Sequence, residues 1–198
     1  MKLVNSTPSA FGRKVAIALT EKGIPFEQVM DVPWNDETIV PEFSPLEQLP
    51  ILVTDDGQKI YDSMYILEWL ERRYPKPALL PRGDDEVLAV KRLQLLSERL
   101  MEIIVLCVFE EQREHPSEAW TARQRRKIGS GLAEVSRLVA SRVVTPEQPI
   151  NYADCATGPM LTWFDFMLSN GMFSQIPEAR WRDHHPNLVA YVDALESR

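Results

Sequence analysis

The sequence predicts an α/β unit followed by an all-helical one, and three observations carry that prediction. Strand-like and helical patterns alternate through the first third of the chain. A turn-rich stretch with Pro75, Pro77 and Pro81, then Arg82-Gly83-Asp84-Asp85, interrupts it, and from Glu86 onward strand signals vanish while long helical patterns take over. The two units are accordingly set at residues 1–76 and 86–198.

The elements follow in order. Lys2 to Asn5 contains the β-leaning pair Leu3-Val4, and the turn-prone Ser6-Thr7-Pro8 leads into helical spacing at Phe11, Val15, Ala18 and Leu19. Gly23 stops that helix, Pro25 breaks the chain, and Phe26 to Met30 alternates as a strand, which completes a βαβ unit. Three prolines between Val32 and Pro45 predict irregular chain with at most a short helix near Asn35 to Val40. Pro50-Ile51-Leu52-Val53, a turn at Asp55-Asp56-Gly57 and Lys59-Ile60-Tyr61 read as a hairpin. Asp62-Ser63 then opens a helix that places Ile66, Leu67 and Leu70 on one face and ends before Tyr74-Pro75.

In the second unit a helix capped near Asp84-Asp85 carries Leu96, Leu100, Ile103 and Cys107 on one stripe, and another carries Ile128, Leu132, Val135 and Val139. Asn151-Tyr152-Ala153-Asp154 has the spacing of a capping box, with Ile150 placed to staple onto Cys155. Gly158-Pro159 falls inside the helix so begun and predicts a kink or an early break. A last helix runs from about Pro186 through Leu195.

Composition narrows the function classes. The chain has 198 residues, 44% of them hydrophobic, enough for a sizeable core without disulfide staples. Cys107 and Cys155 lie outside any metal or redox spacing and read as buried apolar residues of a reducing compartment. No run approaches the ~20 apolar residues that span a bilayer, no signal-like start is present, and a cytoplasmic protein is expected. A net charge of −7 disfavours general binding to nucleic acid or anionic membrane. The three histidines show no ligand spacing, and no metal is expected.

Pro50 organises the candidate site. A cis bond at Leu49-Pro50, directly before an apolar strand, would turn the chain and leave the Leu49 backbone N–H and C=O free to pair with an extended peptide. Some twelve residues on, Asp62-Ser63 sets a carboxylate and a hydroxyl at a helix start, where free N–H groups and the positive dipole end gather. With Ser6-Thr7-Pro8-Ser9-Ala10-Phe11-Gly12-Arg13-Lys14 near the start, these features occur in the order seen in cytosolic glutathione transferases, and nearly the whole chain resembles that family, as a bacterial Ser-type member. The resemblance implies a thioredoxin-like N-terminal domain, an all-α helical-bundle C-terminal domain, glutathione as co-substrate, a small electrophile as second substrate, and a homodimer.

It also implies roles. Ser9 matches the Ser of the family's Ser-Pro-Phe pattern, here Ser9-Ala10-Phe11, and would donate its hydroxyl to the glutathione sulfur. Ser6 and Thr7 compete for that role, and Ser9 has the alternative of simply capping its helix. Leu49 and Pro50 would hold the cysteinyl part, Asp62 and Ser63 the γ-glutamyl end, Trp34 the glycyl end, with Gln48 and Phe11 as further contacts. An electrophile pocket between the domains would be lined by Phe11, Met101, Ile104 and Phe109. The rival functions are a non-catalytic binding protein of the same fold and a thiol-disulfide oxidoreductase, which the absence of a cysteine near position 9 disfavours.

Overall fold

Four short strands form one sheet in the order β2-β1-β3-β4, described, like the rest of the chain, by a computed structural model covering residues 1–198. The central strand β1 (Lys2–Asn5) runs parallel to β2 (Glu27–Met30) and antiparallel to β3 (Ile51–Val53), and β3 pairs with β4 (Lys59–Ile60) in a hairpin. Between β1 and β2 lies α1 (Ala10–Glu21), and α3 (Ser63–Arg73) follows β4. Both cover one face of the sheet, where Leu3, Val15, Leu19, Leu52, Ile66, Leu67 and Leu70 are buried together. This is the thioredoxin-like arrangement that the resemblance implies.

One element differs from expectation. The short helix α2 forms at Val40–Phe43 and not near 35–40. The cause is Asp31, whose carboxylate accepts from Val32 N (2.7 Å), Thr38 Oγ1 (2.8 Å) and Ile39 N (2.9 Å). Those bonds close residues 31–39 into a loop, so helical turns start only beyond it.

The helical domain comprises α4 (Asp84–Glu111), α5 (Glu118–Val139), α6 (Tyr152–Ser169), a 3-10 turn at Pro177–Ala179, α7 (Trp181–His184) and α8 (Pro186–Glu196). The N-cap of α4 is Gly83, and Asp84, Asp85 and Glu86 occupy its first turn, where they complement the dipole without capping. Helix α6 is buried continuously from Tyr152 through Leu161. Its capping box forms as its spacing predicts, with Asn151 Oδ1 accepting from Ala153 N (2.8 Å) and Asp154 N (3.1 Å) while Asp154 accepts from Asn151 N (2.8 Å). The break expected at Gly158-Pro159 does not occur, and α6 continues to Ser169. A helix-interior proline costs about 3 kcal/mol. The helix recovers that by burying Met160, Leu161 and Phe164 completely, each side chain contributing about 1.5–3 kcal/mol.

The connection between the domains is tied down on both sides. Lys22, near the end of α1, donates to Tyr74 O (2.8 Å) and Pro77 O (2.9 Å) and pairs with Glu71 (2.7 Å). Leu79 N donates to Glu71, Tyr152 N donates to Leu79 O (3.1 Å), and the Tyr152 hydroxyl donates to Leu67 O. No helix is long and apolar enough to cross a membrane.

Candidate functional site

The strand directions gather the candidate residues at one pole of the sheet. β1 and β2 both point toward it, ending at Asn5 and Met30, and β3 starts there because Ile51 pairs with Val4. Extending that register by one residue sets Pro50 opposite Asn5. Helices α1 and α3 begin at the same pole, so Ser9, Leu49-Pro50, Asp62-Ser63 and the loop bearing Trp34 all start from one edge of the sheet.

Ser9 is the N-cap of α1. Its backbone is extended and its Oγ accepts from Gly12 N at 3.2 Å. The hydroxyl proton remains to be donated, since capping uses only the oxygen. The side chain is half-buried, whereas Thr7 is exposed and Ser6 is buried, with its carbonyl accepting from Ser9 N at 3.1 Å.

The Leu49-Pro50 bond is cis. Neither the N–H nor the C=O of Leu49 is engaged in a main-chain hydrogen bond, so both backbone groups stand open beside buried Pro50. Asp62 is the N-cap of α3 and accepts from Met64 N at 2.6 Å, while Ser63 is buried with its N–H unused by the main chain. A carboxylate, a hydroxyl and a free helix-start N–H therefore stand side by side.

Gln48 is exposed next to this edge. Phe11 is half-buried and lies edge-on to Trp163, with ring centroids 6.0 Å apart. Trp34 is 69% exposed and meets the ring of Phe109 edge-on at 5.0 Å, a contact across the two domains. The electrophile pocket expected from Phe11, Met101, Ile104 and Phe109 is not assembled from all four. Met101 and Ile104 are fully buried in the helical core. On α4 they face inward with Leu100 and Cys107, while Phe109 lies two residues out of phase and remains 44% exposed.

Residues that spacing did not single out complete the pole. Lys14 and Glu98 form an ion pair between α1 and α4, and both are sealed from solvent. Burial pushes the Lys14 amine down and the Glu98 carboxyl up from their ordinary ranges, against the attraction of each for the other, and Asp62 lies close enough to act on both. Asn5 is 6% exposed and its Oδ1 is buried without a partner. It presses on Gly12, where any Cβ would overlap the amide. Two signals in the sequence marked this contact: an Asn closing the apolar pair Leu3-Val4, and a glycine inside a helical pattern. The two cysteine thiols are inert by contrast, since burial pushes Cys107 up to about 12 and Cys155 higher still.

A sheet edge with an open cis-proline backbone, facing two helix starts and roofed by a helical bundle, defines a thioredoxin-like domain joined to a helical one. The sequence matches the glutathione S-transferase N-terminal domain over residues 3–78 and the C-terminal domain over residues 118–194. It is 33% identical over 201 residues to the uncharacterized GST-like protein YibF of Escherichia coli K12, covering 100% of this chain and 95% of that one. The chain belongs to the glutathione S-transferase family. Among solved structures it is similar to a glutathione S-transferase of Methylobacterium radiotolerans in complex with glutathione sulfonate, with TM-score 0.89 and 44% identity over 100% of this chain and 90% of that one. A glutathione S-transferase of Methylobacillus flagellatus with glutathione bound gives TM-score 0.87 and 28% identity over 100% and 95%.

Proposed function

We propose that this protein is a glutathione transferase that holds glutathione at the pole described above and ionises its thiol for attack on a small electrophile. One observation carries the reading: Ser9, the unpaired backbone of Leu49 and the Asp62-Ser63 helix start converge on one sheet edge, each with the unused hydrogen-bonding capacity a peptide-like thiol needs. The glutathione and glutathione sulfonate in the two similar structures support it. In this reading a glutathione-binding domain spans residues 1–76 and a helical domain residues 86–198. The protein works as a cytoplasmic homodimer.

Leu49 pairs its N–H and C=O with the cysteinyl residue, as a strand would. Asp62 takes the ammonium of the γ-glutamyl end, and Ser63 gives its N–H and hydroxyl to the carboxylate. Trp34 and Gln48 border the glycyl end, and Phe11 packs beneath the turn. The Ser9 hydroxyl and the free N–H groups at the start of α1 favour thiolate over thiol. A thiol near 8.5 lowered by roughly two units is mostly ionised at neutral pH, and each unit corresponds to about 1.36 kcal/mol.

The test is the ultraviolet thiolate absorbance of bound glutathione against pH. Ser9→Ala should shift the titration upward and reduce turnover while leaving glutathione affinity nearly unchanged, with about 1 kcal/mol of stability lost from the cap. A shift produced by Ser6→Ala or Thr7→Ala in place of Ser9→Ala would move the role to that hydroxyl. Bound glutathione that titrates like free glutathione would make this a binding protein and not a transferase.

A further inference from the structure

Asn5 occupies the middle of the site, and the reading above gives it no task. Its register neighbours are Met30 on one side and, by extension, Pro50 on the other. It shares with Leu3 the sheet face that α1 covers, since side chains two apart on a strand point the same way. Its carbonyl accepts from Asp31 N at 2.8 Å, which ties the loop carrying Trp34 to the same residue.

The side chain is placed in an unusual manner. Oδ1 points at the bare Cα of Gly12, the residue whose N–H caps onto Ser9, and finds no hydrogen-bond donor there. The contact is at best a weak C–H···O interaction. A buried amide oxygen with no partner is destabilising, and an apolar side chain of the same shape would avoid that. Packing alone therefore does not account for Asn at this position. The amide nitrogen, by contrast, is neither sealed from solvent nor used inside the chain. With the amide lodged against Gly12, the amino group is left as an unused donor on the residue that the register sets between Met30 and Pro50.

We propose that the Asn5 amino group donates a hydrogen bond to the sulfur of bound glutathione, as a second donor beside the Ser9 hydroxyl, and that Gly12 is glycine because the amide oxygen must dock there. The proposal rests on the thiol site assigned above. A donor to the charged form lowers a thiol's pKa, so its removal raises it.

Asn5→Leu keeps the branched shape and removes both polar atoms, and it separates this role from a structural one. Its melting temperature should rise, because the orphaned oxygen is gone, while the thiolate titration of bound glutathione moves upward by about one unit, a tenfold loss of thiolate at pH values below both pKa values. Gly12→Ala displaces the amide and should raise the titration while lowering the melting temperature. An Asn5→Leu protein that titrates like the wild type overturns the proposal. A direct measurement keeps it independent of catalysis. The Asn5 side-chain amide resonances of the wild-type protein should shift on adding glutathione and not on adding the analogue with CH3 in place of CH2SH. Equal shifts with both ligands, or none with either, overturn the contact. A sulfur-specific shift with an unionised thiol would instead remove the transferase reading and leave the contact standing.

Discussion

Asp154 and Asp62 both stand at the start of a helix, and their surroundings could hardly differ more. Asp154 is 2% exposed and fully engaged: Arg142 donates to it from Nε (3.2 Å) and Nη2 (2.5 Å), Tyr191 from its hydroxyl (2.7 Å), and Asn151 from its backbone (2.8 Å). Asp62 is exposed and accepts a single bond, from Met64 N. The same contrast separates the two domain regions. Polar groups around the start of α6 satisfy one another and specify the fold. Those at the sheet edge of the first domain keep donors and acceptors that no other group of the chain uses.

The largest effect should come from the closed cluster. Asp154→Ala leaves Arg142 and Tyr191 without their shared acceptor, and urea unfolding should show a loss of about 3–5 kcal/mol, the range for breaking a buried ion pair. Asp62→Ala should cost only about 1 kcal/mol, as a lost cap does, yet weaken glutathione binding in a calorimetric titration. Equal stability losses would break the contrast.

Lys14 and Glu98 test whether a fully buried pair at the domain junction belongs with the fold or with the site. Glu98→Gln strands a buried amine and should destabilise by about 3 kcal/mol, while the double change Lys14→Met with Glu98→Leu should recover most of it. Recovery of stability together with normal glutathione binding assigns the pair to the fold. Recovery with impaired binding assigns it to the site.

The smallest effect concerns Asp31. Burial works against its charge, but the hydrogen bonds from Thr38, Ile39 and Val32 prevail and hold the carboxyl below its ordinary value. A depressed acid stabilises the folded loop above its unfolded pKa, and that contribution is lost as pH falls through the folded one. The emission of Trp34 should therefore change as the carboxylate range is crossed from above, and Asp31→Asn should abolish the change.

Local order was legible in the sequence because it is written locally. The βαβ start, the hairpin after Pro50, the Asp62 helix start and the Asn151 box each rest on residues within a few positions of one another, and each forms where expected. What escaped depends on partners far along the chain. Nothing near Lys14 announces Glu98, nothing near Pro159 announces the helices that keep α6 intact, and Met101 looked like a pocket residue until the phase of α4 turned it inward. Ser9, Leu49 and Asp62 were visible as separate motifs, and only the strand register sets them at one pole.

The tacked-down connection between the domains limits how the cleft can work. Lys22 clamps Tyr74 and Pro77 to α1, Leu79 is buried and bonded on both sides, and Tyr152 ties α6 back to α3. These contacts fasten the connection to α1, α3 and α6 at several points along its length. On the proposed function, access to glutathione is set at the border of the site, where the Asp31-rooted loop of residues 31–39 lays Trp34 against Phe109 of the helical domain.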